Sequence, residues 1–270
     1  VTGVQTCALP ILMMQLLKVN DLTIKFGGLT AVSDFALNLS DHDLVGLIGP
    51  NGAGKTTIFN MLTGVYAPTS GTIEFNGEFI QGIKPYDITK KRIARTFQNI
   101  RLFKDLTVLD NVKISFNYNV KYNLFHSILR LPKFKKEEAE IEEKALEILK
   151  VFNLDGKRNE LACNLPYGEQ RRLEIARALA AEPKLLLLDE PAAGMNPQET
   201  HELMGLINWV RDEFKIAILL IEHDMKLVMG VCERIIVVDY GKVIAEGTPD
   251  EIKNNPKVIE AYLGEEVTDA

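Results

Sequence analysis

At 270 residues the chain has room for one large domain or two small ones, and 46% apolar residues can fill a sizeable core. A net charge of −6 argues against a nucleic-acid-binding surface, and no apolar run approaches the length needed to cross a bilayer. Three cysteines at irregular spacing form neither a disulfide framework nor a zinc pattern, which fits a reducing compartment.

Val1 to Ile11 lacks the basic start of a signal peptide, and its apolar stretch is short. It is similar to the translation of a common sequencing-adapter oligonucleotide. Residues 1–13 are therefore expected to be a non-native extension, with the native protein starting near Met13 or Met14. Cys7 then drops out, and Cys163 and Cys232 are expected in the core. Leu16 to Val19 and Leu22 to Phe26 read as two short strands, and Phe35 to Leu39 alternates toward another.

Leu44 to Ile48 is a buried strand, followed by Gly49-Pro50-Asn51-Gly52-Ala53-Gly54-Lys55-Thr56-Thr57 and then a helix-like run to Leu62. Gly49, Gly54, Lys55 and Thr56 meet the phosphate-loop pattern in its strand–loop–helix setting. Glycines let the backbone turn its N–H groups inward around an anion, and the helix start adds a positive end. Lys55 is expected on the β- and γ-phosphates, and the Thr56 hydroxyl on Mg²⁺.

Ile73 to Ile80 is a hairpin turned at Asn76-Gly77. Phe26, just before a Gly-Gly turn upstream of the loop, is either a platform for an adenine ring or an ordinary strand phenylalanine. Residues 99–165 look largely helical, with a short helix from Asp110 to about Tyr118 and a long one from about Lys136 to Phe152. Between them, Tyr122, Phe125 and Phe134 mix with Lys121, Arg130, Lys133, Lys135 and Lys136. That stretch reads better as a solvated loop than as a membrane or partner contact.

Gly168 to Ala181 is expected to be helical. Lys184 to Glu190 is a fully buried strand ending in two carboxylates, and Pro197 to Phe214 is a helix. Ile216 to Ile221 is another buried strand, ending at Glu222-His223-Asp224. Ile235 to Val238 and Lys242 to Ala245 form a hairpin across Tyr240-Gly241. In an open α/β sheet, ligands bind at the carboxyl ends of the strands, so these polar ends are expected to converge on one nucleotide. Asp189 suits Mg²⁺, bound through a water shared with Thr56. Glu190 suits the orientation or deprotonation of the attacking water. Gln98 can coordinate Mg²⁺ or the water without adding charge. His223 can accept from the water and donate to the γ-phosphate.

In this order the glycine loop, the Gln98 segment, Leu165 to Leu179, Asp189-Glu190-Pro191 and His223 resemble the ATP-binding cassette family over about Leu16 to Leu263. The resemblance implies an α/β fold: a P-loop NTPase core with a mostly parallel sheet, an antiparallel β subdomain, and a helical signature subdomain at about residues 99–180. It implies one domain over residues 14–265, with 266–270 as a tail. It also implies a head-to-tail dimer in which Leu165, Pro166, Tyr167, Gly168 and Glu169 of one subunit contact ATP held by the other. Pro166 and Tyr167 stand where the family usually has serine and glycine, so a hydroxyl contact is lost and Gly168 with the helix dipole is expected to replace it. Asn196 stands where many members have aspartate.

Ala192 to Pro197, Ile221 to Gly230, Arg95 to Phe103 and Asn254 to Glu265 look like the ATPase subunits of branched-chain amino acid importers. Urea and lipopolysaccharide transport ATPases are close alternatives. The implied setting is the cytoplasmic face of the membrane, with permease subunits, a periplasmic substrate-binding protein, ATP and Mg²⁺. A DNA-acting or ribosomal cassette is disfavoured by the short span from Thr56 to Leu165, the single cassette and the acidic charge. An inactive cassette is disfavoured by the presence of Glu190 and His223.

Overall fold

The computed structural model describes residues 15–119 and 132–266. In sequence order these form β1 (Gln15–Phe26), β2 (Leu29–Ser40), β3 (Leu44–Ile48), α1 (Lys55–Leu62), β4 (Ser70–Phe75), β5 (Glu78–Phe79), α2 (Pro85–Lys90) and β6 (Ile93–Arg95). Then come α3 (Val108–Lys113), a 3-10 stretch (Ile114–Asn119), α4 (Pro132–Val151), α5 (Tyr167–Leu179), β7 (Leu185–Asp189) and α6 (Pro197–Phe214). The last elements are β8 (Ala217–Ile221), α7 (Met225–Val231), β9 (Arg234–Asp239), β10 (Lys242–Gly247), α8 (Pro249–Lys253) and α9 (Pro256–Glu266).

The larger sheet runs β10-β9-β3-β8-β7-β6, parallel throughout except for the β9–β10 hairpin. Its central strands read as unbroken apolar runs because both faces are covered. Val45, Leu47, Leu185, Leu187, Leu219 and Ile221 face one core, together with α1 and the smaller sheet. Leu44, Ile48, Leu186, Leu188, Ile218 and Leu220 face the other, under the helices. Strand periodicity of two alone divides them. Each such leucine or isoleucine contributes about 1.5–3 kcal/mol by full burial. The smaller sheet, β2-β1-β4-β5, is antiparallel.

Several boundaries differ from the sequence expectation. β1 is one strand of 12 residues rather than two, because Asp21 takes φ 48 and the strand passes through a bulge at that point instead of ending. α3 starts two residues before Asp110, where Thr107 caps it by accepting from the Asp110 amide. α4 begins at Pro132 rather than near Lys136, since proline suits the first helical turn. Lys133 to Lys136 of the basic-aromatic stretch are thus helical, and the part over 120–131 lies outside the described residues. So do the expected extension and most of the tail. Cys232 is buried as expected, but Cys163 is exposed, in a short 3-10 turn that places it outside the core.

Candidate functional site

The glycine loop leaves β3 at the carboxyl edge of the large sheet. At Gly49, φ is 150, and a Cβ would lie 1.9 Å from the Val238 carbonyl oxygen, so only glycine fits between β3 and β9. Gly54 precedes α1 at φ 103, and its missing Cβ lets the loop approach the Ala31 carbonyl. The β9–β10 turn braces the loop from outside, with the Gly241 amide donating to Ala53 O at 2.9 Å. Lys55 is buried, and its ammonium donates to the carbonyls of Gly49 (2.5 Å) and Pro50 (2.8 Å).

The start of α1 has no side-chain cap, so the first-turn amides remain for an anion, and Thr56 lies exposed in that turn. Asn51 and Gly52 form the exposed tip, while Thr57 is half-buried. Phe26 is 45% exposed, with its ring edge-on to Tyr66 at 5.3 Å. It is a surface aromatic at the end of β1 rather than a core phenylalanine.

Three polar ends meet at the carboxyl edge of the same sheet. Glu190 follows β7 in a left-handed conformation, φ 47, and its amide donates to Ile221 O at 2.9 Å. Such a backbone is costly for any residue other than glycine, of order 1–3 kcal/mol, and turns the carboxylate away from the strand line. Gln98 Nε2 donates to Glu190 Oε2 at 2.8 Å. His223 Nδ1 lies 3.8 Å from the same oxygen, with the ring 65% exposed. The structure therefore brings Gln98, Glu190 and His223 together, and His223 is not a core histidine.

Asp189 is buried and paired with Arg95 at 2.7 Å, and Arg95 is held in turn by Asn60 Oδ1 at 2.7 Å. One aspartate oxygen is thus occupied by a guanidinium. Thr56, Asp189 and Gln98 are the side chains that could hold a divalent ion. No cluster of three or more His, Cys, Asp or Glu residues able to cage a metal occurs among the described residues, and a magnesium ion bound through phosphates needs none.

Glu222 is a residue that local pattern did not single out. It is 1% exposed at the end of β8, and its carboxylate accepts from the backbone amides of Ala192 (2.7 Å), His223 (3.1 Å) and Asp224 (3.4 Å). It thereby joins the segment after Glu190 to the segment carrying His223. Burial pushes its carboxyl up from the ordinary value, against the lowering pull of those amides.

The predicted signature segment starts α5. Leu165 is buried, Pro166 occupies the N-cap without a side-chain bond, and Tyr167 is 46% exposed. A Cβ on Gly194 would meet the Tyr167 ring at 3.2 Å, so the tyrosine lies against the loop between β7 and α6. Gly168 is itself buried against Glu199, and a Cβ there would approach Glu199 Oε1 at 2.9 Å. The exposed groups of this turn are therefore Pro166 and Tyr167, not Gly168. The Glu169 carboxylate is engaged by Lys157 at 2.6 Å.

The family model described as ABC transporter matches residues 32–193, well over half the sequence, and spans the glycine loop, Gln98, the signature segment and Glu190. The chain belongs to the ABC transporter family. A second model, described as branched-chain amino acid ATP-binding cassette transporter, matches residues 242–268. The high-affinity branched-chain amino acid transport ATP-binding protein LivG of Salmonella typhimurium is 50% identical, over 93% of this chain and 98% of that protein. The lipopolysaccharide export system ATP-binding protein LptB of Haemophilus influenzae is 35% identical, over 94% of this sequence and 99% of LptB. Among solved structures, the ADP conformation of an ATP-binding cassette of an ABC transporter superposes with a TM-score of 0.81 at 30% identity, covering 93% of this sequence and 99% of that one. ATP binding and hydrolysis coupled to transport are thus the activity of this cassette, and the fold is that of ABC ATPases. No helix of the described residues is long and apolar enough to cross a membrane.

Proposed function

We propose that this cassette hydrolyses ATP to energise uptake of branched-chain amino acids. It would act as a head-to-tail dimer beneath permease subunits at the cytoplasmic face of the membrane, served by a substrate-binding protein. The observation that carries the substrate class is 50% identity to LivG against 35% to LptB, together with the match of residues 242–268 to the branched-chain amino acid cassette model.

The glycine loop binds the phosphates through its amides and Lys55, and Phe26 supports the adenine. Mg²⁺, when bound, neutralises phosphate charge and polarises the γ-phosphoryl group. Glu190 accepts a proton from the attacking water, a role supported by its left-handed backbone and its hydrogen bond from Gln98. His223 contacts the γ-phosphate, a role supported by its exposed ring beside Glu190. The α5 start of the second subunit, with Pro166 and Tyr167 exposed, closes the site.

Vesicles carrying the purified cassette, its neighbouring permeases and its binding protein test the reading. ATP-dependent uptake of leucine, isoleucine or valine supports it. Uptake of urea, or extraction of lipopolysaccharide, in place of these contradicts it.

A further inference from the structure

Two oppositely charged residues of α5 carry no role in the chemistry above, yet they are among the most completely buried polar groups in the molecule. Arg171 is 0% exposed and Glu174 is 1% exposed. Arg171 Nη1 donates to Phe97 O at 2.6 Å and to Glu174 Oε2 at 2.8 Å. Its Nη2 donates to Gln98 O at 2.7 Å and to the Tyr167 hydroxyl at 3.4 Å. Glu174 Oε1 accepts from the amides of Arg101 (3.1 Å) and Phe97 (3.4 Å). The pair therefore grips the backbone on both sides of Gln98, using donors of one and acceptors of the other.

Stability does not account for this arrangement. A buried ion pair is often no better than apolar residues of the same volume, because desolvation offsets the attraction. What the pair supplies is direction: the rigid guanidinium plane puts Nη1 on Phe97 O and Glu174 and Nη2 on Gln98 O, a fixed two-nitrogen geometry that a lysine's single nitrogen does not reproduce. The segment it holds lies at the surface at Gln98, Asn99 and Arg101, with the Phe97 ring under the Arg95 and Arg101 guanidiniums at 5.1 and 4.1 Å.

We propose that Arg171 and Glu174 are positioning residues for hydrolysis. They fasten the Gln98 loop to the signature helix, so that the Gln98 amide stays on Glu190 and the loop moves only when that helix moves. In a head-to-tail dimer the start of this helix serves the partner's nucleotide while Gln98 serves its own, so the pair would link the two sites. The inference rests on the roles given above to Gln98 and Glu190.

The test uses the purified full-length protein, with ATP turnover, ATP affinity and hydrogen exchange as readouts. Arg171→Lys keeps the charge beside Glu174 but loses the fork. Its kcat is expected to fall about ten- to a hundredfold, with ATP affinity within about twofold of wild type. The double variant Arg171→Met with Glu174→Met leaves no unpaired buried charge. It should fold, show the same loss, and exchange the amides of Phe97 and Arg101 faster. Arg171→Lys added to Gln98→Ala should slow turnover no further, because both act through one side chain.

Wild-type kcat in a folded Arg171→Lys protein overturns the proposal, as does a loss that adds in full to that of Gln98→Ala. Wild-type turnover in Gln98→Ala alone contradicts the role of Gln98. The fastening is then decided by exchange, and unchanged protection of Phe97 and Arg101 in the double variant overturns it.

Discussion

Removing the Glu222 carboxylate tests how the two halves of the site are held together. Glu222→Ala strips the acceptor from three backbone amides, of which that of Ala192 is buried and those of His223 and Asp224 are partly buried. A buried donor left unpaired costs about 1–3 kcal/mol, and the partly buried pair less because water reaches them. Relief of the desolvated carboxylate offsets part of this. A net loss of about 2–4 kcal/mol is expected, or a fall in Tm of roughly 4–16 °C for a domain of this size. Calorimetry gives the loss, and ATP turnover measured well below the new Tm should also fall, because the His223 backbone is released.

The pH dependence adds a sign. Burial raises the folded pKa of Glu222 above its ordinary 4.5, so the ionised form is the penalised one in the fold. That penalty is absent below 4.5 and grows as pH rises through the window between the unfolded and folded values. The stability of wild type relative to Glu222→Gln should therefore decline as pH increases across that window. An unchanged Tm in Glu222→Ala, or a difference that moves the other way with pH, would refute the reasoning.

Three further outcomes follow from single contacts. Arg95→Met leaves Asp189 buried without its cation and should cost about 3–5 kcal/mol in urea unfolding; a cost below about 1 kcal/mol would show the pair is dispensable. Phe26→Ala should weaken ATP binding by about 1–3 kcal/mol, with Phe26→Trp restoring it, as titration calorimetry would read. Pro166→Ser provides a hydroxyl at an N-cap that has no side-chain bond, and there it can cap its own helix. It should not tighten nucleotide binding tenfold, a gain of about 1.4 kcal/mol.

What is legible in the sequence is whatever a short window determines. The central strands announce themselves as apolar runs because both faces are buried. Pro197–Phe214 is delimited correctly because Asn196 and Glu199 form a capping box before a regular apolar face. β1 is divided in sequence because Asn20-Asp21 looks like a turn, whereas pairing with β2 and β4 carries the strand through a bulge. Cys163 is misplaced in sequence because residue type says nothing about which way a short 3-10 turn faces.

The site is legible in its parts and not in its fastening. The glycine loop, Gln98, Asp189, Glu190 and His223 lie at strand ends, where motif and topology agree. Arg95, Arg171, Glu174 and Glu222 look like ordinary charges in a linear reading. Each becomes a buried contact only when distant segments meet, as Glu222 does with Ala192 and Arg171 with Phe97. Tyr167 is visible as a departure from the family pattern, but its place against Gly194 depends on the loop after β7.

Glu190→Gln is the most direct test of the account. The substitution keeps the shape of the side chain and its contact with Gln98 but removes the proton acceptor. Turnover and oligomeric state should be followed together, with ATP and Mg²⁺ present. The expected result is retained ATP binding, an ATP-bound dimer that accumulates, and hydrolysis lost by at least about a hundredfold. Hydrolysis at the wild-type rate would contradict the assignment of Glu190 as the base around which the site is built.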